Sequence, residues 1–273
     1  MIKIRKSITY VLLVILVSIV FTACDISRDP TIGESTMTNL PMAKTGNQAL
    51  STTEVEPSEI EETAATEEVS IFAPYQMKKL LSLNDNSLEQ LTSSCCEQLI
   101  TVSSEDSNAK IEFYELQNNT WKLNKSLSCN GFVGQNGVTK DMHEGGYATP
   151  KGLYPIGEAF YIDDKPETGL DLFQITENTY WVDDPDSSAY NQRVEGRENA
   201  DWNSAEHMIE IRPYYDYGFV IEYNTDAVYN AGSAIFFHYS NAPTAGCVGT
   251  DMDMLIRYLK VLNKDKNPYI LIV

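Results

Sequence analysis

The sequence carries little positive charge. Its 273 residues include 20 Lys and Arg against 39 Asp and Glu, which gives a formal net charge of -19. Nucleic acids are bound through Lys and Arg side chains that displace the counterions of the phosphates. The charge balance therefore excludes nucleic acid as a partner and argues against other anionic polymers as ligands.

Histidine and cysteine are also scarce, with three and five residues respectively. Their spacing lacks the cysteine pairs or added histidines that are typical of zinc sites, so no metal is predicted. Either Cys95 or Cys96 could form a disulfide with Cys129, and the sequence leaves this pairing open. Cys247 follows a glycine in a different context. The sequence shows no internal repeat and no second folded domain.

The N-terminus has the features of a secretory leader. A basic start, "MIKIRK", precedes the apolar stretch "ITYVLLVILVSIVF" and the small residues of "TAC". This pattern predicts a signal peptide over residues 1–23, with an uncleaved membrane anchor as the alternative. Because Cys24 directly follows the small residues, the segment resembles the lipobox of bacterial lipoproteins. The resemblance implies lipidation of Cys24 and an extracytoplasmic protein anchored to the cell membrane, facing the cell wall.

The segment that follows cannot form a hydrophobic core. Residues 25–70 hold ten acidic and two basic residues and almost no patterned large apolar residues. Such a composition cannot offset the entropy of ordering, so we predict a disordered acidic tether over residues 24–70. A short helical lead-in is predicted over residues 71–96. The catalytic domain is predicted over residues 97–273.

Strand patterns dominate this domain. "EQLITVSS" and "AKIEFYEL" predict a hairpin, and "WKLNKSL" predicts a third strand. "GFVIEYN" and "GSAIFFHY" are the most apolar segments, and the second is predicted to be central in a sheet. "TDMDMLIRYLKVL" has apolar residues at helical spacing, and "NPYILIV" predicts a closing strand. These patterns predict a mainly β fold with one helix after Cys247.

The segment "FFHYSNAPTAGCVG" combines a histidine at the end of an apolar strand with a cysteine in the next loop. A thiol becomes a strong nucleophile only as the thiolate, and a neighbouring imidazole can remove its proton. Backbone N–H groups at Gly246 and Cys247 could face a developing oxyanion. The alternative is that His238 is a polar strand cap and Cys247 a small core residue.

Further motifs favour the catalytic interpretation. "TPKGLYPI", "YWVDDPDSSAYNQRV", "DWNSAEH" and "GSAIFFHYSNAPTAGCVGTDMDML" occur in this order, and from about Glu97 to Val273 the chain resembles the YkuD-like L,D-transpeptidase catalytic domain. The resemblance implies a fold of mixed β-sheets packed as a sandwich, with the helix after Cys247. It also implies that Cys247 is the nucleophile and His238 its base. It also implies that the Tyr239 carbonyl orients the imidazole and that Gly246 belongs to the oxyanion hole.

The sequence departs from the family pattern in three places. The loop between His238 and Cys247 is short, Ala245 stands where many members have a second histidine, and Gly249 stands where many have Arg or Asn. These changes affect the expected substrate preference, since the second histidine and the arginine would line the donor site.

Six residues are candidates for substrate binding. Asp183 and Asp184 could bind a cationic amine such as a diamino acid side chain, although Asp-Asp-Pro-Asp is also strong turn chemistry. His207 could contact substrate or support residues that do. The remaining candidates are Thr244, Tyr190 and Asn191.

The resemblance implies a cell-wall L,D-transpeptidase that needs no cofactor and acts on peptidoglycan stem peptides. Cys247 would release D-alanine and form a thioester, and the amine of a second stem would then form the cross-link. Water as acceptor would make it an L,D-carboxypeptidase. A non-catalytic wall-binding lipoprotein is a further alternative. An unrelated thiol protease is disfavoured because His238 precedes Cys247 in the chain.

Overall fold

The computed structural model describes residues 71–72, 85–118 and 120–273. The predicted signal peptide, the lipidation site at Cys24 and the predicted tether lie outside the described residues. So do residues 73–84 of the predicted helical lead-in. Within the described ranges, no helix combines the length and apolar character needed to cross a membrane.

The described chain is mainly β, as the sequence predicts. It has two α-helices, one before the first long strand and one after Cys247, together with two short 3₁₀ helices. The helices are α1 (Asp85–Ser93) and α2 (Met252–Val261), and the 3₁₀ helices are Met208–Glu210 and Lys264–Lys266. The strands are β1 (Ile71–Phe72), β2 (Gln98–Glu105), β3 (Asn108–Gln117), β4 (Thr120–Phe132), β5 (Val138–Thr139), β6 (Thr149–Pro150), β7 (Gly152–Tyr161), β8 (Leu172–Gln174), β9 (Thr179–Val182), β10 (Arg193–Glu195), β11 (Ala205–His207), β12 (Tyr217–Ile221), β13 (Phe236–Tyr239), β14 (Val248–Thr250) and β15 (Tyr269–Ile272).

The main sheet closes on itself. Its strands follow the order β1-β4-β14-β13-β12-β7-β15-β2-β3, and β3 pairs in turn with β4. The pairings are mixed, because β13 with β14 and β15 with β2 are parallel whereas most others are antiparallel. The pairing of β3 with β4 covers edges that an open sheet would expose. As predicted, β13 is central, between β12 and β14.

The main core forms where alternating strand residues meet α2. Ile111 and Phe113 on β3 are fully buried, as expected for positions two apart on a strand. The helix contributes Leu255, Tyr258 and Leu259, whose spacing places them on one face. The Asp251 side chain caps this helix by accepting a hydrogen bond from the Met254 N–H. The predicted amphipathic helix is therefore present.

A second apolar cluster lies beneath the segment that carries the motif residues. It contains Phe160, Trp181, Tyr215 and Phe236, together with Cys247 itself. The ring of Phe236 meets the rings of Trp181 and Tyr215 nearly edge-on. A small sheet of β10, β9 and β11 adjoins this cluster through Trp181, which pairs with Glu206 on β11. The sequence did not predict this sheet, because its strands are only three or four residues long.

The disulfide that the sequence left open is not formed. Cys96 and Cys129 are both free thiols. The Cys96 thiol donates to the Gln98 carbonyl at 3.2 Å. The Cys129 sulfur lies 3.4 Å from Thr250 Oγ1. The two thiols are thus engaged in different parts of the domain.

Candidate active site

The parallel pairing of β13 with β14 brings His238 and Cys247 to the same side of the sheet. Phe237 pairs with Val248 and His238 with Gly249, so Cys247 lies beside Phe236 at the start of β14. Phe236 and His238 share one face because successive strand residues alternate. Both His238 and Cys247 line an open cleft of about 450 Å³.

The His238 ring is fixed by the backbone. Its Nδ1 lies 2.6 Å from the carbonyl oxygen of Tyr239. A carbonyl can only accept a hydrogen bond, so Nδ1 carries the hydrogen and Nε2 of the neutral ring is left as the acceptor. The ring also packs against Tyr215, with 5.2 Å between the centroids. Burial lowers the pKa of His238 to about 4, which keeps the imidazole neutral.

The Cys247 thiol is held between two backbone groups. It donates to the Ala234 carbonyl at 3.2 Å and accepts from the Phe236 N–H at 3.3 Å. Only 7% of the residue is exposed, so Cys247 belongs to the core and is not a loosely held loop residue.

Burial dominates the electrostatics of this thiol. It raises the pKa of Cys247 well above its ordinary value, and the negative charge of Glu206 adds to the rise. The Phe236 N–H and a hydrogen-bonding contact with Tyr215 oppose it. The resting site therefore holds a neutral thiol beside a neutral imidazole, and a thiolate would need hydrogen-bond donors to form.

Thr244 and Gly246 shape the loop before the nucleophile. Thr244 Oγ1 donates to the Cys247 carbonyl at 2.6 Å and accepts from the Gly246 N–H at 3.2 Å. A Cβ on Gly246 would lie 3.2 Å from the Ala148 carbonyl oxygen and 3.3 Å from Ile235 Cδ1, which leaves little room for a side chain. Thr244 thus lines the cleft, fixes the loop and occupies the Gly246 N–H that was expected to face an oxyanion.

One wall of the cleft is acidic. Asp183, Glu206 and Glu144 all line it. Among the described residues, no group hydrogen-bonds the buried oxygen Oδ1 of Asp183 or the buried hydroxyl of Ser233, which lines the same cleft. A cationic or hydrogen-donating group of a ligand would satisfy both atoms.

Glu206 is the most perturbed acid of this wall. Its Oε2 accepts a hydrogen bond from the Tyr215 hydroxyl at 2.7 Å. Burial raises its pKa to about 7, with smaller contributions from the charges of Asp183 and Glu144. Sequence reasoning missed Glu144, Glu206 and Tyr215 as site residues. Glu206 directly precedes the candidate His207, but no rule of sequence spacing links Glu144, Glu206 or Tyr215 to Cys247.

Asp184 and Tyr190 do not line the cleft. The Asp184 carboxylate accepts from the Asn203 backbone at 2.7 Å and from the Asp186 backbone at 3.1 Å, and these bonds lower its pKa. This is the turn that the sequence offered as the alternative. The Tyr190 hydroxyl donates to Glu144 and accepts from the Gly232 N–H, so it supports the acidic wall from behind.

Asn191 and His207 are also engaged away from the cleft. The Asn191 side chain accepts from Trp181 Nε1 and from the Ala234 N–H, both at 3.0 Å. His207 stacks on Tyr180 and lies 2.8 Å from the Glu177 carbonyl oxygen through Nε2. Their positions are those of residues that hold neighbouring segments together.

A cation site for a metal is not formed by these acids. Across the described ranges, no group of three or more His, Cys, Asp and Glu side chains is placed to hold a metal ion. The predicted independence from cofactors stays a prediction.

Comparison with known proteins gives little. No protein-family model and no curated protein matches the chain. A solved structure, the helical cell shape determining protein Pgp2 from Campylobacter jejuni, is similar at 17% identity with a TM-score of 0.36. The match covers 64% of this chain and 47% of that one, so the chain spans about half the length of that protein. The family resemblance therefore rests on the motifs and on the site itself.

Proposed function

We propose that this protein is a cysteine acyltransferase of the L,D-transpeptidase type that acts on peptidoglycan stem peptides. The observation that carries the proposal is the shared cleft of Cys247 and His238, with the imidazole oriented by the Tyr239 carbonyl. A nucleophile, a base and a group that orients the base are the parts that covalent acyl transfer requires. The four family motifs in order support the same activity.

The first half of the reaction would form a thioester. His238 Nε2 takes the thiol proton, and the Cys247 sulfur attacks the carbonyl carbon between the third stem residue and its terminal D-alanine. The C–N bond of the tetrahedral intermediate breaks, and the protonated imidazole gives its proton to the departing amine. D-alanine leaves, and the stem remains bonded to the sulfur.

The second half would transfer the stem to an acceptor. The amine of a second stem attacks the thioester carbonyl and loses a proton to His238. The C–S bond breaks, and the thiolate recovers the proton from the imidazole. The products are a cross-linked pair of stems and the free enzyme.

The acidic wall supports an amine-bearing substrate. Asp183 and Glu206 lie on the cleft with Cys247, and one oxygen of Asp183 is buried without a partner among the described residues. An ammonium group of the donor's diamino acid or of the acceptor would pair with these carboxylates. The predicted lipid anchor at Cys24 would keep the domain at the membrane, facing its substrate.

The test is product analysis with purified disaccharide-tetrapeptides. The full chain, Cys247→Ala and the control Cys129→Ala, which removes a thiol outside the cleft, are incubated with stems of both common diamino acids and followed by mass spectrometry. Dimers that have lost one D-alanine, absent only with Cys247→Ala, are the expected result. Tripeptide monomers alone would establish the carboxypeptidase instead. No product from any folded sample would refute the enzyme and favour a wall-binding protein.

A further inference from the structure

A hydrogen-bonded pair lies beside the proposed nucleophile. The Tyr215 hydroxyl donates to Glu206 Oε2 at 2.7 Å, and both side chains line the cleft of Cys247. Tyr215 is only 4% exposed and packs against the rings of His238 and Phe236. Tyr215 and Cys247 belong to the same buried cluster, and the Tyr215 hydroxyl acts to lower the pKa of the thiol. The hydroxyl thus has two possible acceptors, the carboxylate and the sulfur.

The protonation of Glu206 decides between these acceptors. An ionised carboxylate can only accept, so it holds the Tyr215 hydroxyl proton away from the sulfur. A protonated carboxyl can donate to the Tyr215 oxygen, and the hydroxyl is then free to donate to a thiolate. Loss of the Glu206 charge removes an unfavourable field from the sulfur at the same time.

We infer that Glu206 is a positioning residue that, through the Tyr215 hydroxyl, controls how readily the Cys247 thiolate forms. The inference rests on the proposed function only in taking Cys247 as the reactive thiol. Tyr215 shares the cleft and the buried cluster of the reacting sulfur, and Glu206 acts through Tyr215.

The groups around Glu206 agree with this arrangement. Asp183 follows β9, Glu144 precedes β6 and Cys247 precedes β14, and all of them face Glu206 with acidic groups. Burial raises the pKa of Glu206 to about 7, with smaller contributions from the charges of Asp183 and Glu144. This carboxyl therefore changes between its protonated and ionised forms near neutral pH.

The experiment measures the alkylation of Cys247 by iodoacetamide from pH 5 to 10 in the full chain. Mass spectrometry of the peptide that contains Cys247 separates its labelling from that of the other thiols. In the wild type, the logarithm of the rate should rise with pH, flatten near pH 7 as Glu206 ionises, and rise again. In Glu206→Gln the flattening should disappear. The rate at pH 8 should increase about tenfold, which is the effect of lowering the pKa of the Cys247 thiol by about one.

Tyr215→Phe should act in the opposite direction. Below pH 7, where Glu206 is protonated and the hydroxyl is free to donate to the thiolate, loss of the hydroxyl removes that donor, so we expect alkylation several-fold slower than in the wild type. A purely structural role would loosen the cleft in both variants and speed labelling in both. Glu222→Gln, which changes a half-buried glutamate of raised pKa outside the cleft, and Tyr154→Phe should leave the profile of Cys247 unchanged.

Three outcomes would overturn the inference. They are a Glu206→Gln profile that superimposes on the wild type, changes of the same sign in the Glu206 and Tyr215 variants, and no labelling of Cys247 in Glu206→Gln up to pH 10. If Tyr215→Phe fails to fold, as judged by thermal unfolding, the loss of flattening in Glu206→Gln decides alone. Because alkylation needs no stem peptide, a failure of the proposed function would be seen separately, in the product analysis.

Discussion

Asn191 connects four groups behind the cleft, and its replacement by alanine should destabilise the domain. Its Oδ1 accepts from Trp181 Nε1 and the Ala234 N–H, both at 3.0 Å. Its Nδ2 donates to the carbonyl oxygens of Tyr223 at 2.9 Å and Asn224 at 3.0 Å. The carbonyl of Ala234 in turn accepts the Cys247 thiol, so the amide also holds the segment that positions the nucleophile.

The magnitude follows from these four bonds. A net contribution of about 1 kcal/mol for each gives a loss of about 4 kcal/mol for Asn191→Ala. Asn191 also has a left-handed backbone with φ 55°, which asparagine tolerates better than alanine does. At about 2–4 °C for each kcal/mol in a domain of this size, we expect a fall in Tm of about 10 °C.

Differential scanning calorimetry checks the value. Asn118→Ala is the matched control, because Asn118 shares the left-handed backbone, φ 51°, but is exposed in the turn between β3 and β4. It should lower Tm by far less, since it reports only the backbone term. An unchanged Tm for Asn191→Ala with a raised KM for stem peptides would refute the reasoning and return Asn191 to the substrate-binding residues.

Three further predictions follow from the site. Cys247→Ala should abolish turnover and cost about 2 kcal/mol of stability in urea unfolding, because the sulfur is buried and bonded at both sides; equal stability with the wild type would contradict its core position. Gly249→Ala should lower the free energy of unfolding by more than about 2 kcal/mol, because the added Cβ would lie 2.4 Å from Ser240 Cβ. Adding Ser240→Gly should recover part of this loss, and no recovery would show that the clash is not the cause. The pKa of His238 is lowered from 6.5 to about 4, so this residue makes the free energy of unfolding rise with pH from about 4 to 6.5. The pKa of Glu206 is raised from 4.5 to about 7, so this residue makes the free energy of unfolding fall with pH from 4.5 to about 7. Each effect is about 3 kcal/mol, so the stability of the wild type should change little between about pH 4.5 and 6.5. In Glu206→Gln only the His238 effect remains, and stability should rise with pH over that range. A variant whose stability does not change with pH would contradict the opposing titrations.

The sequence predicts those parts of the fold that depend on local pattern. The hairpin of β2 and β3, the apolar β13 and the helix α2 each show their own periodicity, and the structure contains all of them. The closure of the sheet is different, because it depends on pairings between strands far apart in the chain. No local pattern reveals that β14 pairs with β4 or that β15 pairs with β2.

The same division holds for the site. His238 and Cys247 lie in one short segment, so their juxtaposition needs only the pairing of β13 with β14. Glu206 and Tyr215 reach the cleft from outside that segment, and only the tertiary structure shows them beside the thiol. Polarity alone also does not tell whether a side chain is satisfied, which is why Asn191 suggested a ligand contact although its amide is fully engaged.

The position of β15 has a consequence for how the domain folds. This strand lies between β7 and β2 and pairs Tyr269 with Leu99, near the opposite end of the described domain. Pairings of such high sequence separation are slow to form, because the loop entropy is lost before the contact is gained. Until β15 arrives, β2 and β7 each present an open edge to other chains. A nascent chain would therefore remain incompletely folded until β15 emerged, and in that interval its most vulnerable surface would be the gap between β2 and β7.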